Sequence, residues 1–415
     1  MPNNEMIMDR THLKKRRICF VITSPIHYGR SKLILQEMRS RTDAELLLVV
    51  GASALLTNYG DVLSILTKDG FRCDAKIVMT LEGGNSIAMA KTAGIGITEF
   101  ATAFDNLRPD LVVVRGDRYE ILSAVIAAAY LNIPVAHIEG GDLSGTIDES
   151  VRHAVTKLSH IHFVTNEDAN QRILRMGEDP AYVFDVGAPE LEFVAKCDFV
   201  VTNQYINDLG VGDAIDIIKP FLMVMQHPVT TEAGKNRANL EETLEAIHKI
   251  GIPTIWFWPN VDAGTDEVSK AIRVFRELHR PEHIRFVKYI PPEQFIGLLK
   301  RVTCLVGNSS SGVKECSYLG IPVVNIGTRQ SNRLKGPNVV DVGYDSGQIV
   351  RAIRAQLEHG PYEPSYLYFK ENSSSHIVKT LTEIKLYTQK RFHEPHRTAS
   401  RIVRSEPFRE QLEAV

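Results

Sequence analysis

The sequence predicts an α/β protein of two doubly wound domains facing one another across a cleft. Short apolar strands alternate with helix-length segments almost without interruption, and the alternation falls into two series separated by a polar, less periodic stretch. Strands that alternate with helices imply parallel sheets covered on both faces. A chain of 415 residues is long enough for two domains of ordinary size.

The first series of strands runs Ile18–Thr23, Glu45–Val50, Ala75–Met79, Leu111–Val114, Val135–Glu139, Ile161–Val164 and Tyr182–Val186. Within it, Leu111 to Glu139 reads as strand, Gly116-Asp117 turn, apolar helix to Leu131 and second strand. That is a βαβ unit with parallel strands and a right-handed crossover. The second series is Phe221–Met225, Thr254–Phe257, Ile284–Lys288, Cys304–Val306 and Val323–Ile326. The stretch from Cys197 to Lys219 is the boundary between the series. The expected organisation is a charged N-terminal tail (1–17), a first domain (18–200), a second domain (201–374), a helix packing back towards the first domain (375–392) and a C-terminal tail (393–415).

The total charge suggests neither nucleic acid nor an anionic membrane as partner: hydrophobic residues make up 44%, charged residues 24%, and the formal net charge is −2. The first 17 residues lack the apolar core of a signal peptide, and no run of about 18 apolar residues is present. The default compartment is therefore the cytoplasm. The five cysteines are scattered in apolar segments without CxxC spacing, which predicts buried thiols and no zinc site.

In open parallel sheets ligands bind beyond the carboxyl ends of the strands, which is where Asp117, Arg118, His137 and Glu139 fall. Asp117 alone reads equally well as a helix N-cap. Glu139-Gly140-Gly141 closing an apolar strand is harder to explain structurally, since the glycines let another group approach the backbone. With Asp148 on the adjoining segment, three carboxylates converge.

The second series carries its own signal, Gly307-Asn308-Ser309-Ser310-Ser311-Gly312-Val313-Lys314-Glu315, between an apolar strand and a helix of small residues. Backbone amides and hydroxyls there suit a phosphate or diphosphate. Arg329, after the next strand, adds a guanidinium able to grip phosphate oxygens. His227, following a strand end, is a further candidate phosphate contact, and Trp258 to Gly264 also points into the cleft. No GxxxxGK[ST] occurs, which argues against a Walker-type NTPase, and no GxGxxG follows the first strand, which argues against an NAD enzyme.

Taken together, GDRYE (116–120), HIEGGDLSGTIDESVRH (137–153), QHPVT (226–230), PNVDAG (259–264), GNSSSGVKE (307–315) and NIGTRQ (325–330) resemble the hydrolysing UDP-N-acetylglucosamine 2-epimerases, over roughly Ile18 to Leu386. The resemblance implies two Rossmann-like domains in the glycosyltransferase-B arrangement, a nucleotide held mainly by the second and a sugar facing the acidic groups of the first. It implies anti elimination of UDP through 2-acetamidoglucal, then hydration to free N-acetylmannosamine, with Asp117, Glu139 and Asp148 as catalytic carboxylates. It also places Ser309 and Ser310 on the diphosphate and Glu315 on the ribose. His227, Arg329 and Arg118 fall near phosphate, Asn260 and Asp262 in the cleft, and Tyr289 in the segment that holds the base.

No cofactor or metal is expected, and a homodimer or homotetramer is. One departure stands out. Relatives carry a T-R-A-D-Y type loop after strand one whose Arg contacts phosphate, whereas this chain has Pro25 to Lys32, with Arg30 or Lys32 as substitutes. The departure leaves open GDP-N-acetylglucosamine or UDP-2,4-diacetamido-2,4,6-trideoxyglucose as the donor. Competing readings are a non-hydrolysing epimerase, in which HxEAGLRT would replace HIEGGDLSGT, a glycosyltransferase of the same architecture, and a non-catalytic sugar-nucleotide sensor.

Overall fold

The computed structural model describes residues 15–394. Most of each expected tail lies outside these residues, but the first strand already begins at Arg16.

The first half holds seven strands: β1 (Arg16–Ile22), β2 (Ala44–Gly51), β3 (Ala75–Ile77), β4 (Leu111–Arg115), β5 (Val135–Ile138), β6 (Ile161–Val164) and β7 (Val183–Asp185). They form one parallel sheet in the order β3-β2-β1-β4-β5-β6-β7. Side chains sort by the two-residue period of a strand. Ile18, Phe20 and Ile22 join the core on one face, and Cys19 and Val21 join the core on the other.

The second half holds β8 (Val211–Gly212), β9 (Leu222–Met225), β10 (Thr254–Phe257), β11 (Ile284–Val287), β12 (Cys304–Gly307), β13 (Val323–Ile326) and β14 (Val339–Val342). Their order is β14-β13-β12-β9-β10-β11-β8, parallel except for β8 against β11. The sequence reading missed β8 and β14, both on edges. β8 has two exposed residues and β14 exposes its middle pair, so neither carries an apolar run.

Each sheet reverses its strand order once, between β1 and β4 and between β9 and β12. Ligands bind at such switch points, and both open towards the same cleft. The halves touch directly across it: the Gly264 amide donates to the Gly84 carbonyl at 2.8 Å, and the Gly145 amide to the Arg329 carbonyl at 3.1 Å.

The described residues end on the first half. The helix Ser373–Glu383 buries Ile377, Val378 and Leu381 in the core that contains Ile18 and Phe20. It is shorter than the 375–392 expected from sequence. Beyond Glu383 the chain is irregular, fastened by Tyr182 donating to the Lys385 carbonyl at 3.2 Å and by the Lys390 ammonium donating to the carbonyls of Lys157 and Thr156. No helix of the described residues is long and apolar enough to cross a membrane.

Candidate active site

Between the two switch points lies a cavity of about 300 Å³. After β1, Ser24 caps the helix Pro25–Ser40, its hydroxyl accepting from the His27 amide. The divergent stretch is thus the start of a helix, and this separates the two basic candidates, because residues two apart on a helix do not share a face. Arg30 lines the cavity and donates to Ser310 Oγ at 3.1 Å and Glu315 Oε1 at 2.9 Å. Lys32 does not reach it. Its ammonium is turned onto Glu293 and Asp69, so the sequence-based choice of Lys32 as a substrate contact is corrected.

After β4, Gly116 adopts φ 80° and turns the chain into Asp117. Arg118, not Asp117, occupies the N-cap of the helix Tyr119–Tyr130. The Asp117 carboxylate is free for other work, and Oδ2 accepts from Arg152 Nη2. His137 is fully buried. Its Nε2 lies 2.8 Å from the Gly116 carbonyl and its Nδ1 3.1 Å from Thr156 Oγ1, so it fixes the turn and does not line the cavity.

After β5, Glu139 stands at φ 71°, a conformation that costs a non-glycine residue about 1–3 kcal/mol. Asp148 enters on the first turn of the helix Ile147–Leu158, its amide donating to the Thr146 cap at 3.2 Å.

In the second half the loops after β9 and β12 are tied together. The His227 amide donates to Asn308 Oδ1 at 2.7 Å, and Asn308 Nδ2 donates back to the His227 carbonyl at 2.8 Å. Gly307, at φ 127°, permits this, since a Cβ there would lie 2.3 Å from the Met225 carbonyl oxygen. The Asn260 amide donates to His227 Nδ1 at 3.3 Å, which leaves the ring proton on Nε2. Burial, with Arg329 and Arg118 nearby, lowers the His227 pKa to about 3, so the ring is a neutral donor.

Ser309, Ser310, Glu315, Asn260, Tyr289, Arg118 and Arg329 all line the cavity. Asp262 does not; it pairs with Arg118 at 3.0 Å and accepts from Asn260. The expected helix after Ser309 is two short pieces, Ser310–Val313 and Glu315–Leu319, broken at Lys314.

The three carboxylates sit in different fields. At Asp117 burial opposes ionisation, but Arg152, with Arg333 and Arg329, outweighs it and holds the pKa down at about 2. At Glu139 burial is likewise overcome, by Arg115, Lys314 and Arg30, and the carboxyl is held well below the usual range. Asp148 goes the other way. Burial, then the negative charges of Asp117 and Asp262, raise it to about 7, and Arg329 Nη2, at 3.9 Å, only partly compensates.

Of the cations that create these fields the sequence reading singled out Arg30, Arg118 and Arg329 but not Arg115, Arg152, Lys314 or Arg333. Arg115 donates to Glu139 Oε2 at 2.9 Å and to Glu190. Lys314 binds Glu139 and lies 3.4 Å from Glu190, and Arg333 reaches Asp142 at 3.1 Å. Arg152, Lys314 and Arg333 lie inside or just beyond the motifs, while Glu190 stands in the first turn of the helix Pro189–Lys196, which begins beyond the end of β7. That strand-end position was the available signal. Among the described residues no three His, Cys, Asp or Glu side chains assemble to hold a metal ion.

Two Rossmann-like halves with their switch points facing across a charged cavity define an α/β protein of the glycosyltransferase-B architecture. The family model described as UDP-N-acetylglucosamine 2-epimerase matches residues 36–382, and the chain belongs to that family. It is 32% identical over 374 residues to the UDP-N,N'-diacetylbacillosamine 2-epimerase (hydrolyzing) of Legionella pneumophila, covering 90% of this chain and 97% of that one. Identity to a UDP-N-acetylglucosamine 2-epimerase of Neisseria meningitidis serogroup B is 31% over 350 residues, covering 84% and 89%. A crystal structure of a UDP-GlcNAc 2-epimerase from Neisseria meningitidis bound to UDP-GlcNAc shares the fold with a TM-score of 0.71 at 17% identity, covering 88% of this chain and 99% of that one.

Proposed function

We propose that the protein is a hydrolysing 2-epimerase that converts UDP-N-acetylglucosamine and water into N-acetylmannosamine and UDP, a product of the kind consumed in sialic-acid-type sugar synthesis. The observation that carries this reading is the meeting of Asp148 and Asp117 in one cavity, the first held protonated up to about pH 7 and the second ionised above about 2. Carboxyl groups whose environments push their pKa values apart serve as acid and base.

In the proposed reaction Asp117 accepts the C2 proton. The C2–H electron pair becomes the C1=C2 double bond, and the C1–O pair leaves with UDP. Asp148 then protonates C2 of the 2-acetamidoglucal on the opposite face, water bonds to C1, and the water proton returns to Asp148 while Asp117 releases its own to solvent. Glu139, clamped by two cations, acts as a fixed negative charge that favours positive charge at C1. Arg329, the His227 Nε2 proton and the hydroxyls of Ser309 and Ser310 meet the leaving diphosphate, with Arg30 beside them in place of the loop arginine that the family's T-R-A-D-Y sequence carries.

The Legionella relative favours a second donor, UDP-2,4-diacetamido-2,4,6-trideoxyglucose, processed by the same steps. The test is a proton NMR time course in deuterated water with each UDP sugar and the GDP analogue offered separately. Free 2-epimerised sugar carrying deuterium at C2, with free nucleoside diphosphate, is expected. An epimer that stays nucleotide-linked, or one that keeps its C2 proton, overturns the reading.

A further inference from the structure

The Lys314 side chain is completely buried, a location an ammonium occupies only when paired. It enters from the break between Ser310–Val313 and Glu315–Leu319 in the second half, and its partner is Glu139 Oε1 in the first. Glu190 at 3.4 Å and Asp142 at 3.7 Å stand further off, and the Tyr368 ring lies 5.5 Å away on another side. The other oxygen of Glu139 is held by Arg115 from β4, within its own half. Glu139 is therefore bound directly by one cation from each half.

We propose that Lys314 is a positioning residue for the reaction: from the second half it fixes the orientation of Glu139 and keeps that carboxylate ionised over the whole working pH range. The proposal rests on the reading of Glu139 as a fixed charge beside the reacting carbons. Cations facing Glu139 are Arg115, Lys314 and Arg30, with Arg333 at longer range; the neighbouring carboxylates are Glu190, Asp117 and Asp142, and His27 is neutral. With the ammonium removed, burial and three carboxylates oppose the charge on Glu139 against Arg115, Arg30 and the more distant Arg333. Its pKa must then rise. Glu190 pulls the other way: it draws on both Arg115 and Lys314, so neutralising it leaves them more fully to Glu139.

The test is the pH profile of kcat in wild type, Lys314→Met, Lys314→Arg and Glu190→Gln. Lys314→Met is expected to add a rising limb between pH 4 and 7, at least tenfold in rate, that wild type lacks; Lys314→Arg removes it and Glu190→Gln does not produce it. The infrared band of protonated carboxyl groups gives a readout independent of turnover. At pH 6 Lys314→Met shows one more protonated carboxyl than wild type, and adding Glu139→Gln abolishes it. A Lys314→Met profile lowered evenly at every pH, or an unchanged infrared band, overturns the proposal. Should Lys314→Met fail to fold, Lys314→Gln is read by the same two measurements. A wild type that releases no 2-epimerised sugar refutes the functional reading instead, and the infrared comparison still decides the pairing.

Discussion

Gly145 offers a direct test of how closely the two halves must meet. Its amide donates to the Arg329 carbonyl at 3.1 Å, and a Cβ at this position would lie 1.8 Å from the Thr328 carbonyl oxygen and 3.3 Å from Ser331 Cβ. Its φ is not in the left-handed region, so Gly145→Ala acts through the clash and not through backbone strain. Reaching ordinary contact at 3.4 Å or more requires the Thr328–Arg329 loop or the start of the Asp148 helix to withdraw by more than an ångström. Asp148 is three residues further on, and misplacement of a reacting group by about 1 Å costs on the order of 10²-fold in rate. The loop is partly exposed and can yield, so the thermal midpoint should change little, by the equivalent of about 1 kcal/mol. The assay is kcat and KM for released sugar, with UDP affinity measured by calorimetry. An alanine variant with wild-type kcat would refute the claim that the cavity works only at this separation of the halves.

Other expectations follow from the charges. If Asp148 donates a proton from a pKa near 7, kcat holds steady from about pH 4 to 6.5 and falls about tenfold per unit above 7; a flat alkaline side excludes it as the acid. Because its folded-state pKa is raised, its contribution to stability is intact below the unfolded value and is lost as pH rises through 7. Asp148→Asn should therefore be inactive yet melt higher than wild type at pH 8, with the difference shrinking towards pH 4. Arg152→Met strips the buried partner from Asp117 and should cost about 3 kcal/mol by denaturant titration. It should also move the acid limb of kcat upward, since burial then acts on Asp117 with less opposition. His227→Phe removes a neutral donor and should weaken UDP binding by roughly tenfold without shifting the pH profile; a shifted profile would mean that the ring carries charge.

Most of the framework was legible because parallel strands buried on both faces read as continuous apolar runs, as Leu111–Arg115 and Val135–Ile138 do. The edges were not, because Val339–Val342 interleaves exposed residues and Val211–Gly212 is too short to carry a pattern. At the site, strand-end position located Asp117, Glu139, His227 and Ser309. Their charge states depend on partners far away in sequence: Arg152 lies 35 residues from Asp117, and Lys314 lies 175 from Glu139. No local spacing encodes such pairings. Lys32 failed for a local reason, since reading Pro25–Lys32 as a loop hid the helical periodicity that turns it towards Asp69 while Arg30 faces the cavity.

The return of Ser373–Glu383 to the first half has a consequence for dissecting the protein. The first half is discontinuous in sequence: its core is completed by Ile377, Val378 and Leu381, which the chain delivers only after the second sheet is finished. A gene cut between the two strand series would yield an N-terminal fragment with an uncovered apolar trough and a C-terminal fragment with a stray amphipathic helix. Fragment complementation should succeed only when that helix is supplied, in cis or as a separate peptide, which makes Ser373–Glu383 a handle for switching assembly of the cleft on and off.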